Sequence, residues 1–145
     1  MAQVATYLNF ERQTEEVFTF YKTVFGTEFM SDIARFGDVP TSDEYPGPSE
    51  EYKNLFMNVA LPITGGHVLM GTDAPETMGF KLNPGNNVYI CLMPDDRADS
   101  DRLFAALSEG GEVEMPMADM FWGDYWGSFT DKYGIRWMIN CSSKD

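Results

Sequence analysis

A chain of 145 residues with 43% hydrophobic residues can form one domain, or two small units that share one core. The net charge of −13 argues against nucleic acid and anionic membrane surfaces as partners, because both would repel the protein. Two cysteines are too few for a disulfide framework, and nothing resembles a signal peptide or a membrane span of ~20 apolar residues. We therefore expect a cytoplasmic protein.

The first half of the chain begins with a predicted strand at residues 4–10. An amphipathic helix follows, because apolar side chains recur at i, i+3, i+4, i+7 and i+8 between Val17 and Phe25. Thr14 is its expected N-cap, and Gly26 is a typical stop. The remaining predicted elements of this half are a strand, a loop insertion with three prolines and two strands of a hairpin, at residues 28–36, 37–54, 55–61 and 67–71.

The second half repeats this order of elements. Asp99 or Ser100 is the expected cap of a second helix, which ends at Gly110. Asp131 is expected to shape the turn between the last two strands. The predicted strands lie at residues 87–93, 112–115, 123–130 and 135–141.

The two halves correspond position by position. Val4 and Val88 are 84 positions apart, and so are Gly26 and Gly110. Each half is therefore a strand, a helix and three strands, and two such halves form a tandem repeat. The predicted units are 1–80, which carries the loop insertion 37–54, and 86–145.

Four short segments resemble one family. They are residues 7–10 (YLNF), 18–26 (FTFYKTVFG), 121–124 (FWGD) and 130–140 (TDKYGIRWMIN). With the repeat, they resemble the vicinal oxygen chelate superfamily of glyoxalase I, bleomycin-resistance proteins and extradiol dioxygenases. The closer resemblance is to its PhnB-like branch, which often carries a demethylubiquinone-methyltransferase-like label. The resemblance implies an α+β fold in which two four-stranded mixed sheets form a concave cavity with the helices outside, and it implies a homodimer.

The family's metal-binding positions hold unsuitable residues in this chain. Metal-using members place His, Gln or Glu on the first and last strands of each half. Those positions fall here on Thr6, Met70, Asn87 and Met138. This set lacks the imidazole and carboxylate groups that hold hard or borderline divalent ions, and His67 is the only histidine. We therefore expect no metal site and no cofactor.

The last strand supplies the best-defined candidates for a ligand cavity. Trp137 and Ile139 should pack on the helix, which sends the alternating Arg136, Met138 and Asn140 towards the cavity. Arg136 could bind an anionic group of a substrate or form an internal salt bridge. The further cavity candidates are Thr6, Leu8, Met70, Asn87, Tyr89, Phe121, Trp122, Tyr125 and Trp126. Their aromatic members could line a pocket or pack in a dimer interface.

Three functions remain open from the sequence. The first is a metal-free protein that binds an unidentified small molecule. The second is a metal-dependent lyase, isomerase or dioxygenase that uses displaced carboxylates. The third is a structural or regulatory protein with a vestigial cavity. Because fold does not determine function, the ligand cannot be named from these patterns.

Overall fold

The computed structural model describes residues 1–145 and divides the chain into two compact units, Met1–Asn83 and Pro84–Asp145. The first unit contains β1 (Thr6–Phe10), α1 (Thr14–Phe25), β2 (Ala34–Arg35), β3 (Phe56–Pro62) and β4 (Val68–Asp73). The second contains β5 (Ile90–Leu92), α2 (Arg97–Ser108), β6 (Glu112–Asp119), β7 (Tyr125–Thr130) and β8 (Arg136–Cys141). The order of elements confirms the predicted tandem βαβββ repeat.

Each unit forms its own four-stranded mixed sheet. The strand orders are β1-β4-β3-β2 and β5-β8-β7-β6, which are the same order in the two units. In each sheet the first strand runs parallel to the last one, and the other neighbours are antiparallel. The predicted α+β class with two mixed sheets is confirmed. Neither α1 nor α2 has the length and apolar character of a membrane-spanning helix.

Helix α1 is held at its N-terminus by a residue from a distant strand. Gln13, the N-cap residue, makes no side-chain cap bond, and Thr14 is the first helical residue rather than the predicted cap. The backbone N–H of Thr14 donates to Asp73 Oδ1 at 3.0 Å, while Asp73 Oδ2 accepts from the backbone of Phe56 at 2.8 Å. Asp73 thus joins the helix to β3 and β4. The helix ends as predicted at Gly26, which has a φ of 65°.

Helix α2 begins earlier than the sequence predicted. Its cap is Asp96, whose side chain accepts from the backbone N–H of Asp99 at 2.7 Å, so the prediction of Asp99 or Ser100 is wrong. An aspartate in extended backbone conformation can accept this bond wherever the helix begins, and the sequence offers several. The helix buries Leu103 and Leu107 against its sheet.

Several strands differ in length from their predictions. The predicted strand 28–36 is reduced to the two residues of β2, which pairs with β3 through an irregular register. Strand β5 covers three residues instead of 87–93. Strand β6 has eight residues instead of four, with two register shifts along β7. These differences arise because pairing with a neighbour, rather than local preference, sets where a strand ends.

The turn between β7 and β8 is organised by Asp131. This residue is 3% exposed. Its Oδ1 accepts from the backbone N–H groups of Tyr133 at 2.9 Å and Ile135 at 3.0 Å, and its Oδ2 accepts from Trp137 Nε1 at 2.8 Å. The carboxylate therefore shapes the turn, as predicted, and also satisfies the only polar atom of the fully buried Trp137 side chain.

Candidate functional site

In each unit, the helix covers one face of the sheet, and we call the opposite face the open face. Gly71 of β4 points to α1, because a Cβ atom added to it would lie 2.5 Å from Phe18 Cε1. Successive side chains of a strand point to opposite faces. Met70 therefore lies on the open face of the first sheet, beside Ala60, its partner in register on β3.

A pocket of about 350 Å³ lies on the open face of the first sheet. Its lining residues belong to β3, β4, the segment before β1 and the segment after α1, and they are Gln3, Ala5, Met30, Ala60, Val68 and Met70. No charged side chain is among them. A volume of this size falls within the range of small-molecule sites. The pocket therefore offers alkyl and thioether surface with a single polar side chain at its edge.

Thr6 and Leu8 lie on the opposite face from the one predicted. They are in register with Leu69 and Gly71, which face α1. The Thr6 hydroxyl lies 2.9 Å from Nε2 of His67, so the single histidine of the chain has a hydrogen-bond partner within its own unit. The residue beside Met70 on the open face is Tyr7. Side chains of a strand alternate between its two faces, so an error of one residue in the predicted register reverses the face. Leu8 shares its face with Phe10, which is buried in the core.

The open face of the second sheet carries Arg136, Met138 and Asn140. They are half-buried and alternate with Trp137 and Ile139, which are fully buried on the side of α2. The register of β5 and β7 with β8 places five further side chains on this face: Tyr89, Cys91, Trp126, Ser128 and Thr130. Asn140 Nδ2 donates to Asp124 Oδ2 at 2.9 Å.

Arg136 belongs to a polar cluster on this face, the Arg136 cluster, which also contains Glu114 and Tyr89. Arg136 Nη1 lies 3.1 Å from Glu114 Oε2, and the Tyr89 hydroxyl donates to the same carboxylate at 2.9 Å. Arg136 Nη1 also lies 3.5 Å from the Tyr89 oxygen. Of the two roles open to Arg136, the structure shows the internal salt bridge. Sequence reasoning missed Glu114 because nothing local distinguishes it among 23 acidic residues.

Tyr125 and Asn87 do not join the open face. Tyr125 pairs with the buried Cys141 on the side of α2, where its hydroxyl donates to Asp101 Oδ1 at 2.6 Å. That hydrogen bond, followed by desolvation, raises the pKa of Tyr125. Asn87 is exposed and precedes β5 instead of lying within it. Both placements correct the expectation that these residues line a cavity.

Three aromatic side chains form a cluster at the β6–β7 connection, which we call the aromatic cluster. Phe121 and Trp122 stack edge-to-face with ring centroids 5.1 Å apart, and Trp122 lies 6.3 Å from Trp126 on the open face. Phe121 is 98% exposed and Trp122 is 50% exposed. Exposed aromatic groups of this size are typical of surfaces that meet a partner.

The neighbouring positions on the first and last strands do not suit a hard or borderline divalent metal ion. Tyr7 lies beside Met70, and Cys91 lies beside Met138. Thioether groups are poor ligands for such ions. Desolvation raises the pKa of the Cys91 thiol, which disfavours the thiolate form that coordinates metals. Nowhere in the chain do three or more His, Cys, Asp or Glu side chains form a group that could hold a metal ion.

Comparisons with known proteins agree with this fold. The model of the Glyoxalase/Bleomycin resistance protein/Dioxygenase superfamily matches residues 5–139. Protein YjdN of Escherichia coli (strain K12) is 25% identical over 142 residues, which cover 94% of this chain and 93% of that protein. The structure of protein PA1353 from Pseudomonas aeruginosa is similar with a TM-score of 0.82 and 33% identity, covering 97% of this chain and 98% of that one. The PhnB protein from Bacillus cereus has a TM-score of 0.72 at 22% identity, with coverage of 97% and 99%, and shows the shared fold alone.

Proposed function

Because this chain belongs to the glyoxalase/bleomycin resistance protein/dioxygenase superfamily, we propose that it binds a small, largely apolar organic molecule without a divalent metal ion. The pocket beside Met70 carries this proposal. It has about 350 Å³ of space and no charged side chain in its lining. Burial of an apolar ligand against such a lining is favourable by roughly 25 cal/mol per Å² of apolar surface.

The metal-dependent alternative lacks a suitable set of donors. Lewis-acid catalysis requires an ion held by the protein with an open position for the substrate. The strand positions that would hold it carry Met70 and Met138 with Tyr7 and Cys91 beside them. Displaced carboxylates do not replace these positions, because the acidic residues form no group of metal-binding size. The donor chemistry thus favours a binding protein over a lyase, isomerase or dioxygenase.

A vestigial cavity would require a pocket that is filled by its own side chains. Met70 is long and flexible enough to fill such a space, yet the pocket beside it remains open. This observation favours ligand binding over a purely structural or regulatory role.

We expect neutral aromatic compounds to raise the melting temperature of the purified protein, while Zn²⁺, Ni²⁺, Mn²⁺ and Fe²⁺ leave it unchanged. A ligand present at a hundred times its Kd stabilises the folded state by about 2.7 kcal/mol, which corresponds to several degrees. Met70→Glu should abolish the shift, because the ligand would have to desolvate a carboxylate. Thermal denaturation of chelator-treated protein against a panel of compounds measures this.

Met78→Glu is the matched control for Met70→Glu. Met78 is exposed and lies outside the pocket lining, so this variant should retain the ligand-induced shift. Saturable stabilisation by one of the divalent ions would overturn the metal-free proposal. A panel in which no organic compound shifts the wild-type protein would overturn ligand binding.

The aromatic cluster supports a second proposal, a homodimer. Phe121 and Trp122 expose large apolar surface on a chain whose overall charge favours solubility. A second copy of the chain would bury these rings at an interface, where aromatic residues are enriched. We expect light scattering to give a dimer mass at micromolar concentration, and Phe121→Ser with Trp122→Ser to give a monomer. A monomeric wild-type protein would refute the proposal.

A cytoplasmic location remains part of the proposal. The two cysteines, Cys91 and Cys141, are free thiols in the structure. Free thiols are typical of reducing compartments, where disulfides do not persist.

A further inference from the structure

The Arg136 cluster uses only part of the hydrogen-bonding capacity of its arginine. A guanidinium has five N–H donors, and every hydrogen bond of Arg136 within the cluster is made through Nη1. The Nε and Nη2 groups make no hydrogen bond within the chain. They are not sealed from solvent, since the only fully buried side-chain polar atom without a partner is Thr14 Oγ1. One edge of the guanidinium is therefore anchored, and the other edge is free.

Ser128 supplies a second donor without a partner on the same face. This residue is 4% exposed, and its hydroxyl makes no hydrogen bond within the chain. It is in register with Met138, while Arg136 is in register with Thr130, so Ser128 and Arg136 are diagonal neighbours on antiparallel strands. Diagonal neighbours lie ~7–8 Å apart, within reach of a long side chain. This hydroxyl is not sealed from solvent, since Thr14 Oγ1 is the only fully buried side-chain polar atom without a partner, so it remains available to donate to a ligand.

The fold itself does not require polar residues at these positions. The first unit has the same strand order, and its corresponding residues are alkyl: Val68 for Arg136 and Ala60 for Ser128. Position 5, which corresponds to Tyr89, is also an alanine. The fold therefore forms with alkyl side chains at these three positions. The donors of the second unit point to recognition of a ligand rather than to support of the fold.

The charge of the cluster decides which acceptor suits it. Glu114 neutralises Arg136 at 3.1 Å, so the free donors carry no uncompensated positive charge. The chain as a whole has a net charge of −13, which repels anions. A carboxylate would also lose more hydration than a carbonyl on entering the site. The cluster thus suits a neutral oxygen acceptor better than an anion.

We propose that the free edge of Arg136 and the hydroxyl of Ser128 form a donor subsite for the uncharged carbonyl oxygen of a ketone or amide. This inference rests on the proposed function, since it names a polar group that a small organic ligand would present to the open face of the second sheet. Glu114 and Tyr89 are positioning residues that hold the guanidinium through Nη1 and turn its other edge to the open face. Glu114 also excludes anions by balancing the charge of Arg136.

Three probes on one aromatic skeleton test the proposal: methylnaphthalene, naphthalene carboxamide and naphthalene carboxylate. Isothermal titration of the wild-type protein should show the carboxamide binding about tenfold tighter than methylnaphthalene, and tighter than the carboxylate. Arg136→Met should remove the advantage of the carboxamide and leave methylnaphthalene binding unchanged. Ser128→Ala, which keeps the shape of the site, should reduce the advantage about threefold.

Glu114→Gln distinguishes charge balance from a purely structural role of the cluster. It preserves size while freeing the charge of Arg136, so affinity for the carboxylate should rise about tenfold. Arg102→Met on α2 is the control for loss of an arginine and should leave all three affinities unchanged. Circular dichroism and melting temperature verify that each variant is folded.

The outcomes separate this inference from the proposed function. Equal affinities for methylnaphthalene and the carboxamide, or a carboxamide affinity unaffected by both Arg136→Met and Ser128→Ala, would overturn the donor subsite and leave the apolar binding function standing. Wild-type preference for the carboxylate would overturn the choice of a neutral acceptor. Failure of all three probes to bind the wild-type protein would count against the proposed function and the subsite together.

Discussion

Replacement of Asp131 by alanine is expected to lower the free energy of unfolding by about 3–5 kcal/mol. The carboxylate is 3% exposed and accepts three hydrogen bonds. Its loss removes the oxygen that accepts from Nε1–H of the fully buried Trp137 and the oxygen that accepts from the backbone N–H groups of Tyr133 and Ile135. Removing one partner of a buried hydrogen bond costs about 1–3 kcal/mol. Chemical denaturation monitored by tryptophan fluorescence measures the change.

Asp131→Asn refines this prediction. The amide has one carbonyl oxygen and one NH2 group. If the oxygen accepts from the turn, the NH2 group faces the Nε1–H donor of Trp137; if the oxygen accepts from Trp137, the NH2 group faces the backbone N–H donors of the turn. One set of hydrogen bonds is kept in either orientation, so a smaller loss of about 1–3 kcal/mol is expected. Asp95→Ala is the control, because Asp95 is exposed and makes no side-chain hydrogen bond. Its effect should stay within about 0.5 kcal/mol. An Asp131→Ala protein as stable as the Asp95→Ala control would show that the buried carboxylate does not organise the turn.

Gly111→Ala is expected to destabilise the second unit by about 3 kcal/mol. A Cβ atom at this position would lie 2.1 Å from the backbone oxygen of Thr130 and 2.8 Å from the backbone carbon of Asp131. Backbone atoms inside a hydrogen-bonded sheet cannot rotate away as the end of a flexible side chain can. The start of β6 must therefore separate from β7. The midpoint of denaturation in urea measures the loss.

Gly85→Ala is the matched control for Gly111→Ala. The added Cβ would lie 3.6 Å from Asn87 Oδ1, which is an ordinary contact, and Gly85 does not have a positive φ. This variant should change the free energy of unfolding by less than about 1 kcal/mol, with a gain possible because alanine restricts the unfolded chain. Two variants of equal stability would contradict the close approach of β6 and β7 at Gly111.

Much of the fold could be predicted because its signals are local. The apolar spacing that begins at Val17 and the stop at Gly26 identify α1 within a span of a few turns. The turn chemistry of Asp131 acts on residues two to six positions away. The repeat then doubles this information, since the same order of elements occurs twice.

The site was harder to predict because its contacts are long-range. Thr6 and Leu8 lie on the face opposite to the predicted one, because the register of β1 with β4 joins residues about sixty positions apart. The sequence also does not reveal that Asp73 accepts from the backbone N–H of Thr14 at the start of α1, because Asp73 lies far along the chain at the end of β4. The choice of Glu114 as the partner of Arg136 depends on how β6 shifts its register along β7.

Residue types and their spacing are sufficient to predict the tandem repeat and the mixed α+β class. These properties depend on residue identity and on periods of two and 3.6 residues, which operate within single elements. The folded chain is needed to show which face Thr6, Tyr7 and Tyr125 occupy, where the pocket beside Met70 lies and which donors of Arg136 remain free. Strand register and the partners of buried polar groups decide these points, and both are set by packing between segments far apart in the chain.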